Sequence, residues 1–280
     1  MKYLGGKHRL GKEISSILRF LCPDSYKNYL EPFCGALGVF RHMTDDYKCL
    51  GSDLQPDIIK LWNDIKNKKF TPPKSVDDKF YNIVKNHKSP SALRGFVGFL
   101  CSWNGMFFAG LAKYKGTTRD ACKEATNDIN KIKPLIQKKN VKFKCISYNS
   151  HNPKNTLIYC DPPYKGTIGY TGNKGGFNHD EFWNVMRKWS VNNLVIISEE
   201  SAPKDFKCIW KKSYSRGRGF KSNKGGKNVV EKLFTHKKNY DKFYTKIKKI
   251  KSKYMDETKA RKKTRKKTRR KSRKKRNNTR

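Results

Sequence analysis

Leu157-Ile158-Tyr159-Cys160-Asp161-Pro162-Pro163-Tyr164 is the stretch on which the fold turns. Its apolar half is too short for a helix and rich in β-forming residues, so it reads as a buried strand. Proline donates no ladder hydrogen bond and fixes φ, so the strand ends at Asp161. The Asp161 carboxylate is then expected at a strand's carboxyl edge, where open α/β sheets bind ligands. Two prolines stiffen the turn, so the carboxylate, the adjoining Pro162 carbonyl and the Tyr164 ring arrive as one preset unit. A Pro-rich turn that merely closes a strand has the same local signature. The rest of the chain has to decide between them.

Upstream, Tyr29-Leu30-Glu31-Pro32-Phe33-Cys34-Gly35-Ala36-Leu37-Gly38-Val39-Phe40 reads as a short strand, a glycine turn and a helix. That arrangement aims backbone N–H groups at a ligand. The first glycine has no partner two residues on, which disfavours a dinucleotide pyrophosphate, and Glu31 suits a ligand with a cationic end. A second strand over 49–52 ends at Asp53. An acid at that strand tip, about 20 residues after a glycine turn, is placed to bind ribose hydroxyls. The competing reading makes Asp53 the cap of a helix over 55–66. At the start of the chain, Lys2-Tyr3-Leu4-Gly5-Gly6-Lys7 sets paired glycines before a lysine that can reach an anion or a carboxylate. A disordered amino terminus is the alternative there. Apolar spacing over 10–20 predicts a helix.

The chain has 280 residues and a formal net charge of +42. Its length allows one or two domains with a proper core. Residues 259–280 hold 15 Lys and Arg and no acid, which leaves +27 on residues 1–258. A body that basic calls for a polyanionic partner, nucleic acid before membrane, since no lipidation signal or amphipathic anchor is evident. The tail repeats a four-residue unit from Arg261 and cannot bury a core, so it reads as disordered until a polyanion binds it, or as a nuclear import signal. The eight cysteines are scattered without a C-x-x-C pair, which speaks against a disulfide framework and a zinc site. No metal is expected. With no signal peptide and no apolar run of membrane-spanning length, the expectation is a soluble intracellular protein of the cytoplasm or a host nucleus.

Residues 67–92 are charged and turn-rich and read as an insertion leaving the core. Over 96–111 aromatics alternate with glycine and are followed by Lys113, Lys115 and Arg119. Stacking faces beside cations suit an extruded base, while the competing reading is the core of a helical subdomain. A helix over 120–136, a strand over 141–146, a helix through Trp189 capped by Asn178 or Asp180, and strands over 194–198 and 229–234 complete the pattern. Between them, 165–176 reads as a substrate-facing loop, and Ser215-Arg216-Gly217-Arg218-Gly219 as a cationic loop for phosphates.

In this order the motifs resemble the Dam-type DNA adenine-N6 methyltransferases, over roughly residues 2–234. The resemblance rests on Tyr3-Leu4-Gly5-Gly6-Lys7, Glu31-Pro32-Phe33-Cys34-Gly35, Ser52-Asp53 and Asp161-Pro162-Pro163-Tyr164. It departs at Leu37, where the family's F-x-G-x-G pattern has its second glycine, and at Tyr3, where Trp is usual. The resemblance implies an α/β, Rossmann-like, S-adenosylmethionine-dependent methyltransferase fold with a small helical target-recognition insertion. The corresponding division is 1–66 and 126–250 for the two catalytic halves, 67–125 for the insertion and 251–280 for the basic tail.

It also implies that Tyr3, Lys7, Glu31, Phe33, Gly35, Asp53 and Asp161 border S-adenosylmethionine, with Glu31 near the methionine amino group and Asp53 near the ribose. Asp161, Pro162, Pro163 and Tyr164 would act on an adenine flipped out of double-stranded DNA. Lys113, Arg119, Lys165, Arg216 and Arg218 would contact that DNA, with the protein a monomer or weak dimer. The alternatives are an amino-methyltransferase for cytosine N4 or RNA, and a catalytically dead DNA-binding protein on the same fold.

Overall fold

The structure, a computed structural model, describes residues 3–114, 116–164, 176–215 and 228–253. Its centre is a seven-stranded sheet built from β1 (Asn28–Glu31), β2 (Lys48–Asp53), β3 (Val141–Cys145), β4 (Thr156–Cys160), β5 (Leu194–Ser198), β6 (Phe206–Ser215) and β7 (Asn228–His236). The order is β3-β2-β1-β4-β5-β7-β6. The strands from β3 to β5 run parallel, and β7 is antiparallel to both β5 and β6. This is the Rossmann-like arrangement the sequence predicts. The order reverses between β1 and β4, and the crevice outside their carboxyl ends is where such sheets take ligands.

The apolar runs of β4 and β5 are buried at every residue because the sheet is covered on both faces. Side chains alternate along each strand. Leu157, Tyr159, Leu194 and Ile196 enter one core, and Ile158, Cys160, Val195 and Ile197 enter the other. The first core is shared with α1 (Gly11–Leu21), α2 (Pro56–Lys66) and α5 (Ala121–Ile136). On α1 the buried Ile14, Ile17, Leu18 and Leu21 keep the spacing of a single helical stripe. The second core is closed by α6 (His179–Trp189), whose Phe182, Trp183, Met186 and Trp189 turn inward. Asn178 caps α6 by accepting from the Glu181 N–H, one of the two caps expected.

The insertion holds α3 (Asp78–Asn86), the single turn α4 (Ala92–Gly95) and a π-helical turn over Phe96–Leu100. Of the two readings of 96–111, most of the aromatics take the core one rather than forming open stacking faces. Phe96, Phe99 and Phe108 are buried in the first core, and of this stretch only Trp103 is a large apolar side chain in the open, at 42% exposed. Gly98 is packed beneath Phe107 and Phe108, where a Cβ would come within 2.7 Å of both rings. The sequence division at 125 and 126 falls inside α5.

Strand β6 and α7 (Lys237–Lys242) were not legible in the sequence. β6 carries Lys207, Lys211 and Lys212 at the sheet edge, where lysines discourage pairing with another chain and also mask the apolar alternation. Among the described residues, no helix is long and apolar enough to cross a membrane.

Candidate active site

Strands ending at one edge of the sheet bring carboxylates together. Glu31 closes β1 and Asp53 closes β2, while Asp161 follows β4 directly. Glu31 is 3% exposed and accepts a 2.6 Å hydrogen bond from the Tyr29 hydroxyl. Asp53 accepts from the backbone N–H of Gly35 and of Gln55, each at 3.0 Å, and so ties the glycine turn to the start of α2. The cap of α2 is Gln55, which accepts from the Asp57 N–H, and Pro56 takes the first helical position. Gln55 rather than Asp53 therefore holds the N-cap position, while Asp53 fixes the backbone just before it.

The glycine turn accommodates Leu37. That residue is left-handed, with φ 59°, and its side chain is wholly buried. A leucine there adopts the conformation a glycine takes without cost, and its burial offsets the strain. Gly38 serves another purpose. A Cβ on it would lie 2.9 Å from the backbone nitrogen of Lys7, so the amino-terminal segment rests directly on this glycine. The Tyr3 ring lies over Gly35 in the same way and packs 5.1 Å from Phe99.

Seated on Gly38, Lys7 turns its ammonium toward β4. Nζ is 2.8 Å from Asp161 Oδ1, donates to the Tyr164 hydroxyl at 2.9 Å and lies 4.7 Å from the centre of that ring. The Tyr164 hydroxyl in turn donates to Glu231 Oε1 at 2.7 Å, and that carboxylate is 3.6 Å from Nζ. Lys7 is 8% exposed, Asp161 17% and Glu231 3%. Glu199, buried just past β5, adds a further carboxylate beside His179 at the start of α6.

Burial drives the electrostatics. It pushes the Asp161 carboxyl up to about 6, with Lys7 pulling it down and Glu231 and Glu199 pushing it further up. Burial likewise holds Glu31 well above the ordinary carboxylate range; the Tyr29 hydrogen bond opposes this, and Asp161 and Asp53 add to it. Asp53 is raised by burial against the pull of its backbone donors. Burial alone would lower Lys7, but the Asp161 and Glu231 carboxylates outweigh it and hold the ammonium above its usual range. Neighbouring carboxylates that raise one another mark a crevice short of positive charge.

The model of the D12 class N6 adenine-specific DNA methyltransferases matches residues 3–94 and 106–218, which take in the glycine turn, Lys7, Asp53 and the Asp-Pro-Pro-Tyr turn. The chain belongs to this family. It is similar to the type II methyltransferase M.FokI of Planomicrobium okeanokoites, 21% identical over 77% of this chain and 38% of that protein. It is also similar to the DNA adenine methylase of Haemophilus influenzae, 26% identical over 63% of this chain and 69% of that protein. The chain therefore spans well under half the length of the first relative and about two thirds of the second.

As a member of the D12 class, the chain brings together Lys7, Glu31, Gly35, Asp53, Asp161 and Tyr164 from distant parts of its sequence. Pro162 is buried and Pro163 half-buried in the turn. Phe33 is half-buried and packs against the edge of the second core, with ring centres 5.3 Å from Tyr148 and 5.9 Å from Phe182. Lys113 is ion-paired with Asp78 on the surface, and Arg119 with Glu124, stacked over the Tyr114 ring. Lys165, Arg216 and Arg218 lie outside the described residues.

Two site residues escaped the sequence reading. Glu199 follows an apolar strand just as Asp53 and Asp161 do. Glu231 interrupts the apolar run Val229–Phe234 of a chain with 65 basic and 23 acidic residues. A lone acid inside a buried strand of so basic a chain was the available signal.

Proposed function

We propose that the protein transfers a methyl group from S-adenosylmethionine to the N6 amino group of an adenine flipped out of double-stranded DNA. The observation that carries this reading is the Asp161-Pro162-Pro163-Tyr164 turn, held at the reversal point of the sheet beside buried Glu31. The donor set fits the cofactor. S-adenosylmethionine supplies an activated methyl on a cationic sulfonium and carries an ammonium group and ribose hydroxyls. A crevice whose carboxyls are raised by burial and by neighbouring carboxylates gains by accepting such a cation. In this reading Glu31 meets the ammonium, Asp53 uses its remaining lone pairs for the ribose, and Tyr3, Phe33 and Gly35 shape the pocket wall.

The chain's own chemistry acts on the amino group. A purine amino nitrogen is a poor nucleophile because its lone pair is spread into the ring. Asp161 and the Pro162 carbonyl accept its two N–H bonds and draw it out of conjugation, which frees the lone pair. Positive charge gathering on that nitrogen meets a carboxylate already in position. The nitrogen loses one proton as the new N–C bond forms, and a carboxylate pushed up to about 6 is better suited than an ordinary one to receive it. Stacking of Tyr164 on the base contributes about 1–3 kcal/mol toward the cost of extruding it. Lys113, Arg119, Lys165, Arg216 and Arg218 serve the phosphates, and residues 67–125 read the target.

The test is mass spectrometry of nucleosides after the protein is incubated with DNA and with RNA. N6-methyladenine in DNA is expected, and methylcytosine or methylated RNA as the sole product overturns the reading. Asp161→Ala should abolish transfer and keep salt-dependent DNA binding, which separates an enzyme from a DNA-binding protein on the same fold.

A further inference from the structure

Asp161 has work to do for the target base, yet its Oδ1 already holds the Lys7 ammonium at 2.8 Å. An incoming amino group needs that carboxylate. A buried ammonium that gives it up needs another acceptor close by, because an unpaired buried charge is costly. Glu231 Oε1 stands 3.6 Å from the same nitrogen, less than 1 Å beyond ordinary hydrogen-bond length. It is buried on a rigid strand, with Glu231 opposite Lys212 of β6. The Tyr164 hydroxyl bridges the two sites, accepting from Lys7 and donating to Glu231. The match to the family ends at residue 218, short of this side chain.

We propose that Glu231 is a positioning residue that acts through Lys7: the Lys7 ammonium holds the place of the target amino group on Asp161 and shifts to Glu231 when the base arrives. The inference rests on the methyl-transfer reading above. It makes the amino-terminal lysine a placeholder that keeps Asp161 paired and in position between turnovers. The shift is short enough for side-chain torsions alone, since the Lys7 backbone is fixed against Gly38.

The test is a double-mutant cycle with a second, activity-free measurement. Glu231→Gln keeps an acceptor for the Tyr164 hydroxyl but removes the charge that receives Lys7. It should lower the single-turnover methylation rate by about tenfold or more, and Glu231→Asp should restore part of it. In a Lys7→Met background no ammonium has to move, so the same Glu231→Gln change should cost less than about twofold.

The second measurement uses cofactor-free protein. Acetylation of Lys7 by a water-soluble N-hydroxysuccinimide ester, followed by mass spectrometry and normalised to Lys113, should rise several-fold in Glu231→Gln. Equal costs of Glu231→Gln in both backgrounds, or unchanged Lys7 labelling, overturns the proposal. Melting curves identify a variant that fails to fold, and Tyr164→Phe, which leaves Glu231 available to Lys7, should not raise the labelling as far. A wild-type protein that fails to methylate adenine overturns the methyl-transfer reading instead, and the labelling still reports on the link between Lys7 and Glu231.

Discussion

Replacing Leu37 tests the backbone path of the glycine turn. Its φ of 59° is left-handed, and its side chain is fully buried between the turn and the first core. Leu37→Ala removes the packing but keeps a Cβ in a conformation that disfavours one. The expected loss is that of a buried leucine truncation, about 3–5 kcal/mol. Leu37→Gly removes the same packing and relieves the strain. At a left-handed position glycine outperforms alanine by about 1 kcal/mol, whereas in ordinary helix or strand it is worse by roughly 0.5–1 kcal/mol. The order of the two variants is therefore inverted from the usual one. Thermal melting reads it directly: the glycine variant should melt about 2–4 °C above the alanine variant, by the scaling for a protein of this size. Should the alanine variant melt at the same temperature or higher, Leu37 is not left-handed, and the turn does not follow the path that brings Gly35 to Asp53.

Three further outcomes follow from the site. The methylation rate should fall as pH drops through about 6, because the Asp161 carboxyl is pushed up to about 6 and, once protonated, offers a poorer acceptor; single-turnover rates between about pH 5 and pH 8 check this. The groups that set this limb beside burial are Lys7 from the amino-terminal segment, Glu231 from β7 and Glu199 after β5, so Glu231→Gln should move it to lower pH. Gly38→Ala puts a Cβ about 2.9 Å from the Lys7 backbone, which cannot rotate away, and should cost roughly 1–3 kcal/mol in chemical denaturation with a disproportionate loss of methylation. Deleting 259–280 removes 15 basic side chains and should weaken DNA binding and flatten its salt dependence, with methylation still measurable in single turnover; unchanged affinity at low salt gives the tail another task.

The parallel half of the sheet was legible because its strands announce themselves twice. β4 and β5 are short apolar runs, and β1, β2 and β4 end at or beside an acid, which a proline follows directly after β1 and β4. Tyr159 to Tyr164 carried both signals at once. Lys7 was legible as a residue able to reach a carboxylate, but not which one. That depended on Gly38, thirty-one residues away, supplying a seat for its backbone. Glu231 was hidden for the opposite reason. Its strand pairs antiparallel with β5 and approaches the site from its beginning rather than its end, so the acid at a strand's end that flagged Asp53 and Asp161 was absent. The insertion misled because aromatics beside glycines look alike whether a glycine admits a ligand or, as at Gly98, a neighbouring ring.

The distribution of charge connects these observations. A chain of net charge +42 places Glu31, Asp53, Asp161, Glu199 and Glu231 at adjacent positions along one edge of its sheet. Burying and clustering acids in this way is unfavourable, as the raised Asp161 and Glu31 carboxyls show, and Lys7 offsets it from within by pairing with Asp161. The wider basic surface draws a polyanion from a distance, while the acidic crevice repels phosphate and admits a cation or a neutral base. Long-range attraction is screened by salt, whereas the buried carboxylates are screened far less. The two fields therefore sort what reaches the crevice, holding polyanions outside and favouring neutral or cationic groups within.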